Sequence, residues 1–214
     1  SQNSQPHCDV LGVGFWLAWL LFYLFFRLRV IGREKIRASW KKGGVLIACN
    51  HTSYFDPPVV GVAYGKKTAF LARKSLFKKG FLGWIYPRLN AIPVDQERPD
   101  FTSLKRIIKE LREGNPVLIF PEGQRTEDGN LMQAEAGVGL VIAKARVPVL
   151  PMRIFGAHEA YPPGAKWPKF FTRITLCCGD MFEFTEKELD VRGREGYQAI
   201  ADRVMQKVEE IQAP

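Results

Sequence analysis

The sequence offers no serine-nucleophile signature, no paired cysteine motif, no internal repeat and no low-complexity tract. Without a G-x-S-x-G there is no strained strand-to-helix elbow of the serine-hydrolase kind. Ser53 stands too close to His51 in sequence to replace it. The four cysteines, Cys8, Cys49, Cys177 and Cys178, lack metal-site spacing, and no other ligand cluster calls for a metal. Cys49 and Cys178 fall in apolar, strand-like runs, which predicts reduced, buried thiols and favours the cytosolic side. Acidic residues are in deficit, 22 Asp+Glu against 31 Lys+Arg, for a net charge of +9. That balance suits an anionic partner: a phosphorylated substrate, an acidic membrane or nucleic acid. Nothing beyond net charge supports nucleic acid, so no nucleic-acid partner is expected.

Residues 10–26, VLGVGFWLAWLLFYLFF, contain no charge, and Arg27, Arg29, Arg33, Lys35 and Arg37 follow. As a helix this run is about 25 Å long, just short of the ~30 Å hydrocarbon core of a bilayer. No basic region precedes it and no small-residue cleavage site ends it, which argues against a signal peptide. Spanning with strain, partial insertion in one leaflet, and burial as a core helix are the three readings. Nearly every face is apolar, and Trp16, Trp19, Phe22 and Tyr23 are large, which disfavours the core helix. Trp and Tyr favour the interface, and the basic run suits anionic headgroups on the cytoplasmic side. The expectation is a membrane-embedded helix that does not cleanly traverse. Residues 1–28 form that anchoring segment, after a polar end at residues 1–5. Residues 29–214 form one domain, long enough for a substantial core.

Within that domain, short apolar strands alternate with helices. Strands are expected at 29–36, 45–49, 68–72, 91–94, 116–120, 147–155, 173–178 and 181–184. Helices are expected at 57–64, 101–112, 136–145 and 196–211. Phe101, Leu104, Ile108 and Leu111 share one face, and Gly114 stops that helix. Residues 77–89, FKKGFLGWIYPRL, mix aromatics with bases and read either as ordinary packing or as a surface that meets lipid or an acyl pocket. Residues 161–171, YPPGAKWPKFF, form a Pro-rich loop. The fold class is α/β: a central, mostly buried mixed sheet flanked by helices.

Two strands end in polar clusters. The run VLIAC leads into NHTSYFD, which delivers His51 to a loop with Asp56 five positions on. On one helix the two would lie roughly 140° apart, so the backbone must turn between them for the side chains to meet. If they meet, neutral imidazole accepts a proton while the carboxylate fixes its tautomer. His51 also reads as a structural histidine at a strand end, and Asp56 as the N-cap of a helix that starts at Pro57. The second cluster is FPEGQRT. In open α/β sheets ligands bind beyond the carboxyl ends of strands, so Glu122 and Arg125 lie near His51 if the two strands are neighbours. Gly123 lets the backbone approach a ligand closely. Arg125 offers a planar fork for phosphate oxygens. Taken alone, PEG also reads as a tight turn with a solvated glutamate.

Together these residues resemble the glycerolipid acyltransferase family, most closely its bacterial 1-acylglycerol-3-phosphate acyltransferases. NHTSYFD resembles that family's histidine-four-residues-aspartate motif, and FPEGQRT its Phe-Pro-Glu-Gly-Thr-Arg block. AFLARKSLFKKGFLGW and NAIPVDQER resemble the intervening segment, which in the family carries basic residues for the acceptor phosphate. VPVLPMRI resembles the last motif, with Pro148 and Pro151. The match runs over residues 31–155 in the right order and spacing. Gln124 stands where the family usually has Thr. Gln96 stands where an arginine commonly follows, with Arg98 two residues on, and Arg73 stands where lysine is commoner. Arg73, Lys74 and Arg98 therefore remain alternatives for the second phosphate contact.

The resemblance implies acyl transfer from an acyl-carrier-protein or acyl-coenzyme A thioester to lysophosphatidate, with no cofactor and no acyl-enzyme. It makes His51 the base and Asp56 its partner, with Arg125 on the phosphate. Glu122 orients the acceptor or braces its loop. Backbone N–H groups near Glu122 and Gly123 are candidates for the oxyanion. A related enzyme with another lysolipid acceptor and a non-enzymatic membrane-binding module are the competing readings. The expected location is the inner (cytoplasmic) membrane, with the catalytic domain on its cytoplasmic face.

Overall fold

The computed structural model describes residues 8–74, 77, 90–94 and 101–213. Arg98, and all of residues 77–89 except Phe77, lie outside the described residues. The chain forms α1 (Cys8–Phe26), β1 (Arg29–Ile31), α2 (Arg33–Ser39), β2 (Leu46–Cys49), α3 (Asp56–Tyr64), β3 (Ala69–Arg73) and β4 (Ala91–Val94). There follow α4 (Phe101–Arg112), β5 (Val117–Ile119), α5 (Ala136–Ala145), β6 (Val149–Phe155), α6 (Ala157–Ala160), β7 (Thr175–Cys178), α7 (Glu186–Leu189) and α8 (Gly193–Glu209).

The seven strands make one sheet in the order β1-β7-β6-β2-β5-β3-β4. Every pairing is parallel except β6 with β7, so β1 and β7 run against the other five. β2 is flanked by β6 and β5 and buried at all four residues, as a parallel strand covered on both faces must be. Alternation divides its side chains. Leu46 and Ala48 face a core built with Ile107, Leu111, Val141, Ile142 and Val204, from α4, α5 and α8. Ile47 and Cys49 face the opposite core with Phe22, Phe26, Val59, Val60 and Leu176. The expected mixed, helix-flanked sheet is thus present.

Local boundaries differ from the sequence reading for identifiable reasons. The first strand ends at Ile31, because Gly32 turns the chain with φ +80 into α2. A Cβ at Gly32 would come within 2.7 Å of the Cys178 carbonyl oxygen, so only glycine fits there. Residues 181–184 form no strand of their own: Phe182 makes one isolated antiparallel bridge to Val149. Thr185 and Glu188 then form a capping box that starts α7. The small-residue helix expected at 136–145 is α5, and its close packing has a specific site. A Cβ on Gly139 would lie 1.8 Å from the Tyr197 carbonyl oxygen of α8.

The C-terminal half of α1 packs on the domain, with Ala18 and Trp19 partly buried against the same core as Phe22 and Phe26. Phe22 and Phe26 are buried against Phe55, with ring centroids 5.3 and 4.8 Å apart. Trp16, Leu17, Leu20, Tyr23 and Leu24 are exposed. Among the described residues no helix is long and apolar enough to cross a membrane.

Candidate active site

The site is assembled where β2 and β5 end side by side. Asn50 extends the sheet past β2 with its side chain. Its amide donates to the Ile154 carbonyl at 3.0 Å, and its carbonyl accepts from the Ile154 N–H at 2.7 Å. This mimics a peptide group and fixes the point from which the next residue departs.

That residue is His51. Its Nδ1 lies 2.9 Å from Asp56 Oδ2, across the turn that the five-residue spacing required. The same oxygen accepts the N–H groups of Thr52 at 2.6 Å and Ser53 at 2.7 Å. Asp56 is fully buried, and its carboxylate turns back over the loop instead of capping α3. The N-cap expectation is therefore corrected: Phe55 occupies that position and no side chain caps the helix. Three donors converging on one oxygen fix the carboxylate against the imidazole. The imidazole ring also stacks on Phe120, with centroids 3.9 Å apart and planes within 13°.

The loop after β5 holds the main chain of His51 from both sides. Glu122 Oε1 accepts the His51 N–H at 2.8 Å, and Thr126 N–H donates to the His51 carbonyl at 3.0 Å. The other Glu122 oxygen accepts the Met132 N–H at 3.0 Å. Glu122 thus braces the two loops, and it is buried, unlike the solvated glutamate of an isolated turn. Burial pushes its pKa up to about 7; the amides of His51 and Met132 offset part of this, and the nearby Asp56 charge adds to it. Gly123 sits at φ +71, so the turn itself demands glycine. Its N–H already donates to the Phe120 carbonyl at 3.0 Å, which removes it as a ready oxyanion donor.

Arg125 is half-buried, and its guanidinium lies 3.9 Å over the Tyr54 ring. Tyr54 packs in turn on Tyr161, with centroids 5.1 Å apart. His51, Asp56, Glu122, Gly123 and Arg125 are thus gathered on two touching loops. Arg73 ends β3 and the exposed Lys74 follows it, two strands from β2, or about 10 Å across the sheet. Arg98 lies outside the described residues. Ser53 is no nucleophile: it is buried, with Oγ donating to the Tyr161 carbonyl at 2.7 Å. Cys49, Cys177 and Cys178 are free and buried, and burial raises the Cys49 thiol well above its usual range.

The sequence reading gave no role to Asn50, Tyr54, Phe120 or Tyr161, although the first three stand inside the two motifs that carry the resemblance.

The acyltransferase family model matches residues 27–155, which include both loops. The chain belongs to the acyltransferase family. Among curated members, it is 31% identical over 125 residues to the 1-acyl-sn-glycerol-3-phosphate acyltransferase of Bacillus subtilis, covering 58% of this chain and 60% of that protein. It is 28% identical over 151 residues to the chloroplastic 1-acyl-sn-glycerol-3-phosphate acyltransferase LPAT1 of Arabidopsis thaliana, covering 70% of this chain and 42% of that protein. In these alignments it therefore spans between about two fifths and three fifths of the relatives' length. The crystal structure of the 1-acyl-sn-glycerophosphate acyltransferase PlsC of Thermotoga maritima is similar with a TM-score of 0.70 at 25% identity, over 96% of this chain and 82% of that one. The acyltransferase fold thus extends beyond the matched segment to the helices and strands on either side.

Proposed function

We propose that this acyltransferase moves a fatty acyl group from an acyl-carrier-protein or acyl-coenzyme A thioester to the sn-2 hydroxyl of 1-acylglycerol-3-phosphate. The product is phosphatidate, an intermediate of phospholipid biosynthesis. The observation that carries the reading is the His51–Asp56 pair at 2.9 Å, set beside the loop that bears Arg125. The names of the similar proteins supply the acceptor.

With Nδ1 turned to the carboxylate, Nε2 is the nitrogen left for substrate. It takes the hydroxyl proton as that oxygen bonds to the thioester carbonyl carbon. The tetrahedral intermediate collapses, the C–S bond breaks, and the proton returns to the leaving thiolate. Asp56 stabilises the imidazolium between these steps. Arg125, with Arg73, Lys74 or Arg98, holds the acceptor phosphate and so places the hydroxyl. Positioning of this kind lowers a barrier by several kcal/mol.

The acceptor is a lipid, and the exposed part of α1 gives the domain a means of reaching it. Trp16, Leu17, Leu20, Tyr23 and Leu24 enter one leaflet, Arg27 and Arg29 meet the headgroups, and the catalytic domain sits on the cytoplasmic face of the inner membrane.

The test is thiol release from acyl-coenzyme A, or deacylation of acyl-carrier protein, measured with and without lysophosphatidate. Release that depends on lysophosphatidate and yields phosphatidate is expected. Preference for a different acceptor across a panel of lysolipids would reassign the substrate within the family. Release that ignores every lysolipid would overturn the reading.

A further inference from the structure

Large exposed apolar side chains are not confined to α1. Trp167 is 82% exposed, against 66% for Trp16. It lies in the Pro-rich loop between α6 and β7, with Phe170 at 51% and Phe171 at 63%. Single exposed apolar residues are ordinary, but three large aromatics within five positions are not.

Their presentation is built in. Phe171 has φ 64, a conformation that bulky L-residues seldom adopt. It is held there by its N–H, which donates to the Phe25 carbonyl of α1 at 2.7 Å. The Phe25 ring meets those of Phe170 and Phe171, at 5.7 and 6.3 Å. The loop's apolar surface therefore continues that of α1, although the two segments are far apart in sequence. Lys166, Lys169 and Arg173 are interleaved with the aromatics and exposed, and residues 161–173 contain no acid.

We infer that residues 166–173 form a second lipid-contact element, which inserts Trp167, Phe170 and Phe171 at the surface of an anionic bilayer beside α1. Aromatic side chains at the acyl boundary with basic groups at the phosphates match the interfacial composition that bilayers select. A second copy of the chain fits this surface poorly, since a two-fold contact would set Lys166, Lys169 and Arg173 against their own kind. The element also bears on the catalytic loop: Tyr161, at the head of the same segment, accepts the Ser53 hydroxyl at 2.7 Å. Lipid contact here and at α1 fixes the orientation of the domain, which one helix alone leaves free to rotate. The inference rests on the membrane docking proposed above, but not on the chemistry of the reaction.

The test is sedimentation of the full chain with vesicles of equal parts phosphatidylcholine and phosphatidylglycerol. Trp167→Ala, and Phe171→Asn, which tolerates the left-handed backbone, should each lower the partition coefficient about tenfold, because each withdraws a large ring from the bilayer. Both variants should keep wild-type melting and wild-type turnover of a short-chain, detergent-dispersed acceptor. Variants that partition like the wild type overturn the loop inference and leave docking through α1 standing. A wild-type chain that ignores the vesicles overturns both. Unchanged partitioning with loss of a dimer in ultracentrifugation assigns the patch to a second copy. Loss of turnover on the dispersed acceptor with unchanged partitioning makes the loop purely structural, and also overturns the inference.

Discussion

Glu122 Oε1 accepts the main-chain N–H of His51 at 2.8 Å, so a buried carboxylate on one loop fixes the backbone that carries the proposed base on the other. Its second oxygen ties down Met132 at 3.0 Å. The block that carries Arg125 and the loop that carries His51 are therefore one mechanical unit.

Glu122 should make the fold sensitive to pH. Burial is the chief reason that its carboxyl is raised to about 7. The folded state thus keeps a proton that the unfolded state releases. Its contribution to stability is fully present below the unfolded value and is lost as pH rises through about 7. Glu122→Gln should abolish that slope. It should also cost about 1–3 kcal/mol, because its NH₂ would face an amide donor that a carboxylate oxygen now satisfies. Urea midpoints at pH 5 and pH 8 for both proteins check this; an identical pH dependence in the two would count against it.

His51→Ala should remove turnover by about a thousandfold or more while leaving the circular-dichroism spectrum intact. Asp56→Asn should lower kcat by up to about four orders of magnitude, through the wrong imidazole tautomer. Single-turnover rates at saturating donor make the comparison, and wild-type turnover in His51→Ala would rule out its role as base.

Arg125→Ala should raise the KM for the phosphorylated acceptor far more than that for the thioester, and Arg125→Lys should recover only part. Tyr54 lies under this guanidinium at 3.9 Å. Tyr54→Phe should therefore be close to neutral, and Tyr54→Ala should raise the acceptor KM roughly two- to thirtyfold, as expected for a lost cation–π contact. Equal changes in both KM values would assign the pair to the fold alone.

Two truncations should separate docking from folding. Removing residues 8–17 leaves Ala18, Trp19, Phe22 and Phe26 on the core, so the melting temperature should hold. Vesicle binding, and activity on bilayer-embedded acceptor, should fall much more than activity in detergent. Removing residues 8–26 also takes out both buried rings, each worth about 3–5 kcal/mol by comparison with Phe→Ala substitutions, and should destabilise the domain itself. Calorimetry and vesicle sedimentation on the same preparations decide it.

The alternation of apolar strands and helices was enough to read the fold class, because each buried strand is a short continuous run bounded by turns. The His51–Asp56 contact was legible through the resemblance of NHTSYFD to the family motif, whereas the spacing alone says only that the backbone must turn if the two are to meet. Strand order was not legible, since nothing local marks β7 as reversed. The end of β1 depends on Gly32 meeting the Cys178 carbonyl, a contact between opposite ends of the chain. The role of Glu122 turned on two amides, from His51 and Met132, that no side-chain pattern records.

Among the described residues β1 pairs only with β7, in the register Arg29 with Thr175 through Ile31 with Cys177. During synthesis this strand must wait for a partner made long after it. Until then the turn of α1 that carries Phe22 and Phe26 lacks part of its seat, which includes Ile174 and Leu176. Late closure of this edge is the costly step of such a topology, because a long loop must be ordered before its contacts form. The apolar helix α1 is thus made before the strand that completes its seat.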